Sequence, residues 1–254
     1  MTSTIGVKKI QYPNGTDILT LDSSGSLSID TNTLHIDASN NRVGIGTTSP
    51  SQALHVAGGN PAGIIESTTS SGAFLQFKNT SSTGTNRLGY AVHDFVVDTN
   101  GTERMRIDAN GHCTMPTQSA FSAGRSSTLS NFAINSMVTI NLNSEIYDQN
   151  GDFSDPNFTA PVTGKYQLSA IWYMNALDIS ANYYILQIAT SNRNYDHVVD
   201  SSARDEDETY SSYTLSILAD MDAGDTASIG LFQQSGAAQT DITAGTYFTG
   251  YLVA

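Results

Sequence analysis

The stretch FTAPVTGKYQLSAIWY, Phe158 to Tyr173, decides the fold. Pro161 breaks the preceding segment and Gly164 is expected to supply a turn. Tyr166, Leu168, Ala170 and Trp172 then recur at every second position, which places them on one face of a β-strand. The other face carries Lys165, Gln167, Ser169, Ile171 and Tyr173 and is half apolar. A strand of this kind is buried on both sides or meets a partner chain.

Beyond this strand the chain is apolar enough to fold and poor in charge. Of its 254 residues 39% are hydrophobic and 14% charged, which excludes a disordered polyelectrolyte. The formal net charge is −13, so nucleic acid, whose recognition rests on basic contacts to phosphate, is not an expected partner. No apolar run is long enough for a membrane span, and the opening MTSTIGVKKIQYPNG lacks the apolar core of a signal peptide. Synthesis in a cytoplasm without membrane insertion is the expectation. Cys113 is the single cysteine, so no intrachain disulfide forms and the thiol is read as inert.

Upstream, residues 21–118 repeat a simple theme: a short alternating run closed by an Asp/Asn/Gly turn. Leu21-Asp22-Ser23-Ser24-Gly25, Ile36-Asp37-Ala38-Ser39-Asn40, Val97-Asp98-Thr99-Asn100-Gly101 and Ile107-Asp108-Ala109-Asn110-Gly111 are its instances. Their spacing is irregular, so they make no strict solenoid. Each unit is too thin to bury a core alone, which calls for other chains beside it. Asn14-Gly15 predicts a hairpin in the opening segment, residues 1–20. Residues 57–85 read as a looser insertion around Ala73-Phe74-Leu75-Gln76-Phe77. Four cations face fifteen acids in 119–254, against seven and nine before that boundary, so the last part carries nearly all the negative charge.

Two resemblances add to this reading. The run Pro161-x-x-Gly164-x-Tyr166-x-Leu168, with Phe121, Gly224-Asp225 and the closing Phe248-Thr249-Gly250-Tyr251-Leu252, resembles the C1q/TNF-like jelly-roll domain over 119–254. Asn41-Arg42-Val43-Gly44-Ile45-Gly46-Thr47-Thr48-Ser49-Pro50 and Arg104-Met105-Arg106-Ile107-Asp108 resemble elements of bacteriophage tail-fibre shafts. Together they imply an all-β homotrimer: an attachment segment at 1–20 docking on another virion protein, a thin stem at 21–118, and a jelly-roll head at 119–254. The implied role is a structural, non-enzymatic virion protein on a tail or capsid, whose head meets a host glycan or protein. A capsid or neck decoration without receptor binding, and a tailspike-like polysaccharide depolymerase, are the alternatives.

Site candidates follow from parity and polarity. Tyr166, Leu168, Trp172, Phe248 and Leu252 are expected in the core. Ile171, Tyr173, Tyr247, Tyr251 and Val253 then face away and are expected at subunit contacts, where aromatics are enriched. The polar stretch Asn192–Tyr210 is expected to be a loop at the distal end, with Asn194, Tyr195, Asp196 and Arg204 as host-binding residues. Asp205 and Asp207 are weak candidates for calcium, which relatives of the resembled family bind near the trimer apex. No other cofactor is expected. The Asp-x-Asn-Gly sequences lack the EF-hand spacing and read as turns, and the five histidines show no zinc-site spacing. Gly44-x-Gly46 reads as a tight turn where three chains crowd an axis, since it lacks the third glycine of a nucleotide loop.

Overall fold

A computed structural model describes residues 9–11, 13, 15, 17–29, 33–59, 63–68, 72–81, 84–201 and 204–254. Residues 1–8, Asn14, and parts of the GGNPAG and Asn192–Tyr210 stretches lie outside these, so the attachment segment is only partly in view. The described residues are all strand, turn and coil, and none forms a helix that could cross a membrane. The chain divides into two compact units, residues 1–75 with 89–92, and residues 76–88 with 93–254.

The first sheet is β1 (Lys9–Gln11), β2 (Asp17–Leu21), β3 (Leu27–Ile29), β4 (Leu34–Asp37), β5 (Arg42–Ile45) and β6 (Leu54–Val56), in sequence order. Its hairpins are closed by side chains. Asp22 Oδ1 accepts from the Ser24 and Ser26 amides at 2.9 Å, and Asp37 Oδ1 from those of Ser39 and Asn40 at 3.1 Å. β5 and β6 run parallel, and the turn between them explains its glycines. A Cβ on Gly44 would lie 2.3 Å from the Thr47 carbonyl oxygen, and one on Gly46 1.9 Å from that of Ala57. The close approach is therefore within one chain, and no crowding around an axis is needed to require glycine here.

The second sheet holds β7 (Ala73–Phe77), β8 (Asn86–Ala91), β9 (Asp94–Thr99), β10 (Thr102–Ile107) and β11 (Cys113–Thr114), ordered β11-β10-β9-β8-β7. Asp108 Oδ1 accepts from the Asn110 and His112 amides at 2.8 and 2.9 Å, repeating the Asx-turn device. Arg106 pairs with Asp94 and Glu103, and Arg87 Nε donates to Asp98 at 2.6 Å.

From residue 120 the chain forms a two-layer sandwich. Its strands are β12 (Ala120–Gly124), β13 (Val138–Thr139), β14 (Ser144–Asp148), β15 (Phe153–Ser154), β16 (Asn157–Thr159), β17 (Gly164–Leu177), β18 (Tyr183–Thr190), β19 (Asn194–Val199), β20 (Glu208–Met221), β21 (Thr226–Gln234), β22 (Asp241–Ile242) and β23 (Tyr247–Leu252). One layer is ordered β14-β12-β23-β17-β20, with β22 beside β17; the other is β15-β16-β21-β18-β19, with β13 beside β21. This is an antiparallel jelly roll.

The inner face of β17 is the predicted one. Tyr166, Leu168, Ala170, Trp172 and Met174 are buried, while Leu252 is only half-buried at the core margin. Phe121 stacks on Phe158 at 4.7 Å between ring centroids and meets Phe248 edge-on at 5.1 Å. Each fully buried large side chain contributes roughly 1.5–3 kcal/mol of burial free energy. Polar atoms carried inward keep their partners: Trp172 Nε1 donates to the Gly230 carbonyl at 3.1 Å, and the Tyr166 hydroxyl to that of Val162 at 2.7 Å. Gly164 begins β17 rather than making a turn, and glycine is needed there because a Cβ would lie 2.6 Å from the Ala254 carbonyl oxygen.

Candidate functional site

The outer face of the β14-β12-β23-β17-β20 layer gathers the apolar residues that strand parity turned away from the core. Register aligns them in rows. Ala120, Tyr251, Gln167 and Leu218 lie across one row, Ser122, Thr249, Ser169 and Ser216 across the next, and Gly124, Tyr247, Ile171 and Thr214 across a third. Tyr251 is 52% exposed, Val253 49%, Ile171 42% and Tyr247 38%, with Tyr173 half-buried.

Glycine lets these rings lie flat. A Cβ on Gly124 would come 2.6 Å from the Tyr247 ring, and one on Gly245 2.8 Å from the Tyr173 ring. Tyr173 also stacks against Tyr210, with centroids 6.2 Å apart and planes at 9°. The middle row is hydroxylic: Ser169 and Ser216 are joined at 2.7 Å, and Gln167 Nε2 donates to Ser216 Oγ at 2.8 Å.

Sequence reading missed Tyr147 and Leu218 on this layer, at 52% and 55% exposure, and Tyr210 at its far end, 64% exposed and beyond the three rows. The alternation of Leu215, Ile217 and Ala219 along β20 was the available signal, since it turns Leu218 outward. The charged residues of β17, β20 and β23 sit only at strand ends: Lys165 opposite Asp220 at one, Glu208 at the other. An exposed face that is rich in aromatic rings and, on β17, β20 and β23, uncharged between its ends has the composition of an interface core.

The four nominated host-binding residues do not converge. Leu252 N donates to the Ser119 carbonyl and Lys165 N to that of Ala254, so both ends of this sandwich lie at one pole, the near end. The β18–β19 turn is at that pole: Asn192 Nδ2 donates to Asp225 Oδ2 at 2.9 Å, and Arg193 pairs with Asp220 at 2.9 Å. Asn194, Tyr195 and Asp196 stand on β19 itself, an edge strand running from the near end to the far end. Asp196 accepts from Gln187 Nε2 at 2.8 Å. Arg204 lies beyond the far end of β19, pairs with Glu208 and donates to the Tyr213 hydroxyl. Asn194–Val199 of this polar stretch is an edge strand, which water covers on one face and along one side, while Asp205–Asp207 lie in the connection to β20.

Of the two calcium candidates, Asp207 is already engaged within the chain. Asp207 Oδ1 accepts from Ile179 N at 3.0 Å and Oδ2 from Gln239 Nε2 at 2.8 Å. Among the described residues no cluster of His, Cys, Asp or Glu is placed to hold a metal. Asp148 is likewise committed to a turn, accepting from the amides of Gly151, Asp152 and Phe153. The histidines are scattered, with His112 on Asp108 at 2.9 Å and His35 on Ser28 at 2.6 Å. Cys113 is exposed.

Comparison with known proteins agrees with the sandwich. The family model described as C1q domain matches residues 120–253. Among solved structures, the globular domain of zebrafish complement 1qA is 19% identical, covering 54% of this chain and 98% of its own, at a TM-score of 0.40. Murine APRIL is 9% identical, with 54% and 99% covered and a TM-score of 0.38. The PRD1 vertex protein P5 is 12% identical, with 54% and 99% covered and a TM-score of 0.35. No curated protein matches the chain. The family match spans more than half of the chain and coincides with the jelly roll from β12 to β23, and on that ground the chain belongs to the C1q domain family.

Proposed function

We propose that the protein is a homotrimeric, non-enzymatic structural component of a virion, a fibre or appendage whose 119–254 head touches the host surface. The observation that carries the self-association is the outer face of β23, β17 and β20, uncharged between the strand ends, bearing Ile171, Tyr173, Tyr247 and Tyr251 with Val253 just beyond β23. C1q/TNF-like domains are trimer-forming structural and binding folds, which supports the same reading. A closed three-fold ring buries the same pair of complementary patches on every subunit and leaves none uncovered.

The virion assignment draws on the fibre-shaft resemblance of NRVGIGTTSP and RMRID, and with it comes a division into attachment segment 1–20, stem 21–118 and head 119–254. In this reading the attachment segment docks on another virion protein, and the head recognises a host glycan or protein.

Light scattering on the full chain tests the trimer, with three copies of the 27.0 kDa chain expected. Tyr251→Asp places a charge in a contact that has lost its water and is expected to leave monomers, because an unpaired buried charge costs about 3–5 kcal/mol. A wild-type monomer or dimer would refute the proposal. Labelled antibody against the head, imaged on particles, tests the location. Label on a fibre tip supports host contact, and label flush with the capsid or neck supports a decoration.

A further inference from the structure

We infer that the far end of the head carries a binding site for a neutral saccharide, in the recess between the end of β17, the start of β20 and the loop after β21. The inference rests on the host-contact reading above and names its ligand class. The recess measures about 270 Å³ and is lined by Asn175, Ala176, Asp207, Thr209, Tyr210 and Gln239, among others. It holds the three elements that sugar recognition needs.

The first is an open aromatic plane. Tyr210 is 64% exposed and is held in place by the parallel Tyr173 ring behind it. A pyranose presents a face of C–H bonds that packs on such a ring. The second is a set of fixed polar groups. Asp207 is pinned by Ile179 N and Gln239 Nε2, and these bonds hold its carboxyl below the usual range, so it stays ionised and acceptor-only. The Ala176 carbonyl is turned by a φ of 50°, a conformation that non-glycine residues adopt rarely and mostly under local constraint.

The third is an unmet demand. Among the described residues, Asn175 Oδ1 is buried and accepts no hydrogen bond. A buried acceptor left without a donor is destabilising, and a hydroxyl bound in the recess can supply that donor with a small shift of the Asn175 side chain. The charge of the site chooses among sugars. Asp205, Glu206, Asp207 and Glu208 stand together in sequence, so the local field repels carboxylated or phosphorylated saccharides and leaves neutral ones. Three copies of a weak site gain by effective concentration.

The test uses the full chain on immobilised neutral trisaccharides of glucose, galactose, mannose and N-acetylglucosamine, with a sialylated trisaccharide as the anionic counterpart. Binding to at least one neutral probe and none to the sialylated one is expected. Tyr210→Ala and Asn175→Ala are each expected to weaken it about tenfold or more, the effect of losing one good contact. Tyr210→Phe should restore it, and Val198→Ala, on the exposed edge strand away from the recess, should leave it unchanged. Absence of binding to every neutral probe, or binding that survives both alanine variants, would overturn the site. So would loss of the trimer mass in either alanine variant, which would assign the recess to the subunit contact. Adsorption to host cells separates the two readings. Cell binding by wild type that both alanine variants keep leaves host contact standing and removes this site. Sugar binding without cell binding keeps the site and removes host contact.

Discussion

The chain before Phe121 and the chain after it are both mostly antiparallel β-structure closed by aspartate and glycine turns, yet only one of them has an interior. Among the described residues, Val96 is the one buried hydrophobic side chain before Phe121. After it, Trp172, Tyr166, Tyr184, Phe121, Phe158 and Phe248 are all fully buried in a single cluster. The difference teaches that alternation alone does not make a core. A strand's apolar face stabilises only when a second layer covers it, and the jelly roll supplies that layer from its own chain. The repeats upstream do not. Ile64, Ile65, Tyr90 and Val92 remain exposed there.

Cutting the chain at Ser119 should separate the two behaviours most sharply. The 119–254 piece is expected to melt cooperatively by calorimetry, whereas a 1–118 piece at the same concentration should show no cooperative transition. A sharp melt in the upstream piece alone would end the contrast.

Within the head, Trp172→Ala removes the largest fully buried side chain together with its bond to Gly230. A loss of about 3–5 kcal/mol is expected from denaturant melts of the head. A loss below 1 kcal/mol would mean that the layers do not depend on one packed centre.

Alkali should act on the head through Tyr184. Burial pushes its hydroxyl up to about 12, while Thr240 and the Asp178 backbone hold it by hydrogen bonds. A raised folded value means the stabilising contribution is complete below the ordinary value of 10.0 and is lost as pH rises through about 12. Tyr184→Phe should therefore move the alkaline unfolding midpoint upward, at the cost of about 1 kcal/mol at neutral pH from the lost hydrogen bonds. An unchanged midpoint would show that another group controls it.

Acid should act first upstream, and most gently. Asp22, Asp37 and Asp108 are held below the ordinary 3.8, chiefly by hydrogen bonds to Ser24, Asn40 and His112 respectively. Depressed values mean the turns are supported above 3.8 and lose that support as pH falls through the lower folded values. Pepsin digestion at falling pH, read by mass spectrometry, should cut residues 21–118 before 119–254. Simultaneous cutting would place the two parts at equal stability.

How much of this could be read from the residues follows the same divide. The two-residue alternation from Tyr166 to Trp172 named both faces of β17, because a period of two leaves no choice once one large aromatic is buried. The aspartate turns were legible because the side chain that closes each turn lies in the same few residues. β19 was not legible. Asn194, Tyr195, Asp196 and His197 carry no alternation, since an edge strand is held by the backbone of β18 rather than by covered side chains. The recess around Asn175 was out of reach for another reason: its walls come from β17, β20 and the loop after β21, which only the folded topology brings together.

The pairing of Ser119 with Leu252 and of Lys165 with Ala254 closes the jelly roll at one pole. A module whose first and last strands meet at one pole presents both of its junctions at one place when it is exchanged, so recombination, natural or engineered, has a single seam to match. The turns at the opposite pole, from Arg125 to Ser136 and from Ser235 to Thr240, are the places where inserted sequence can be displayed while the seam stays untouched.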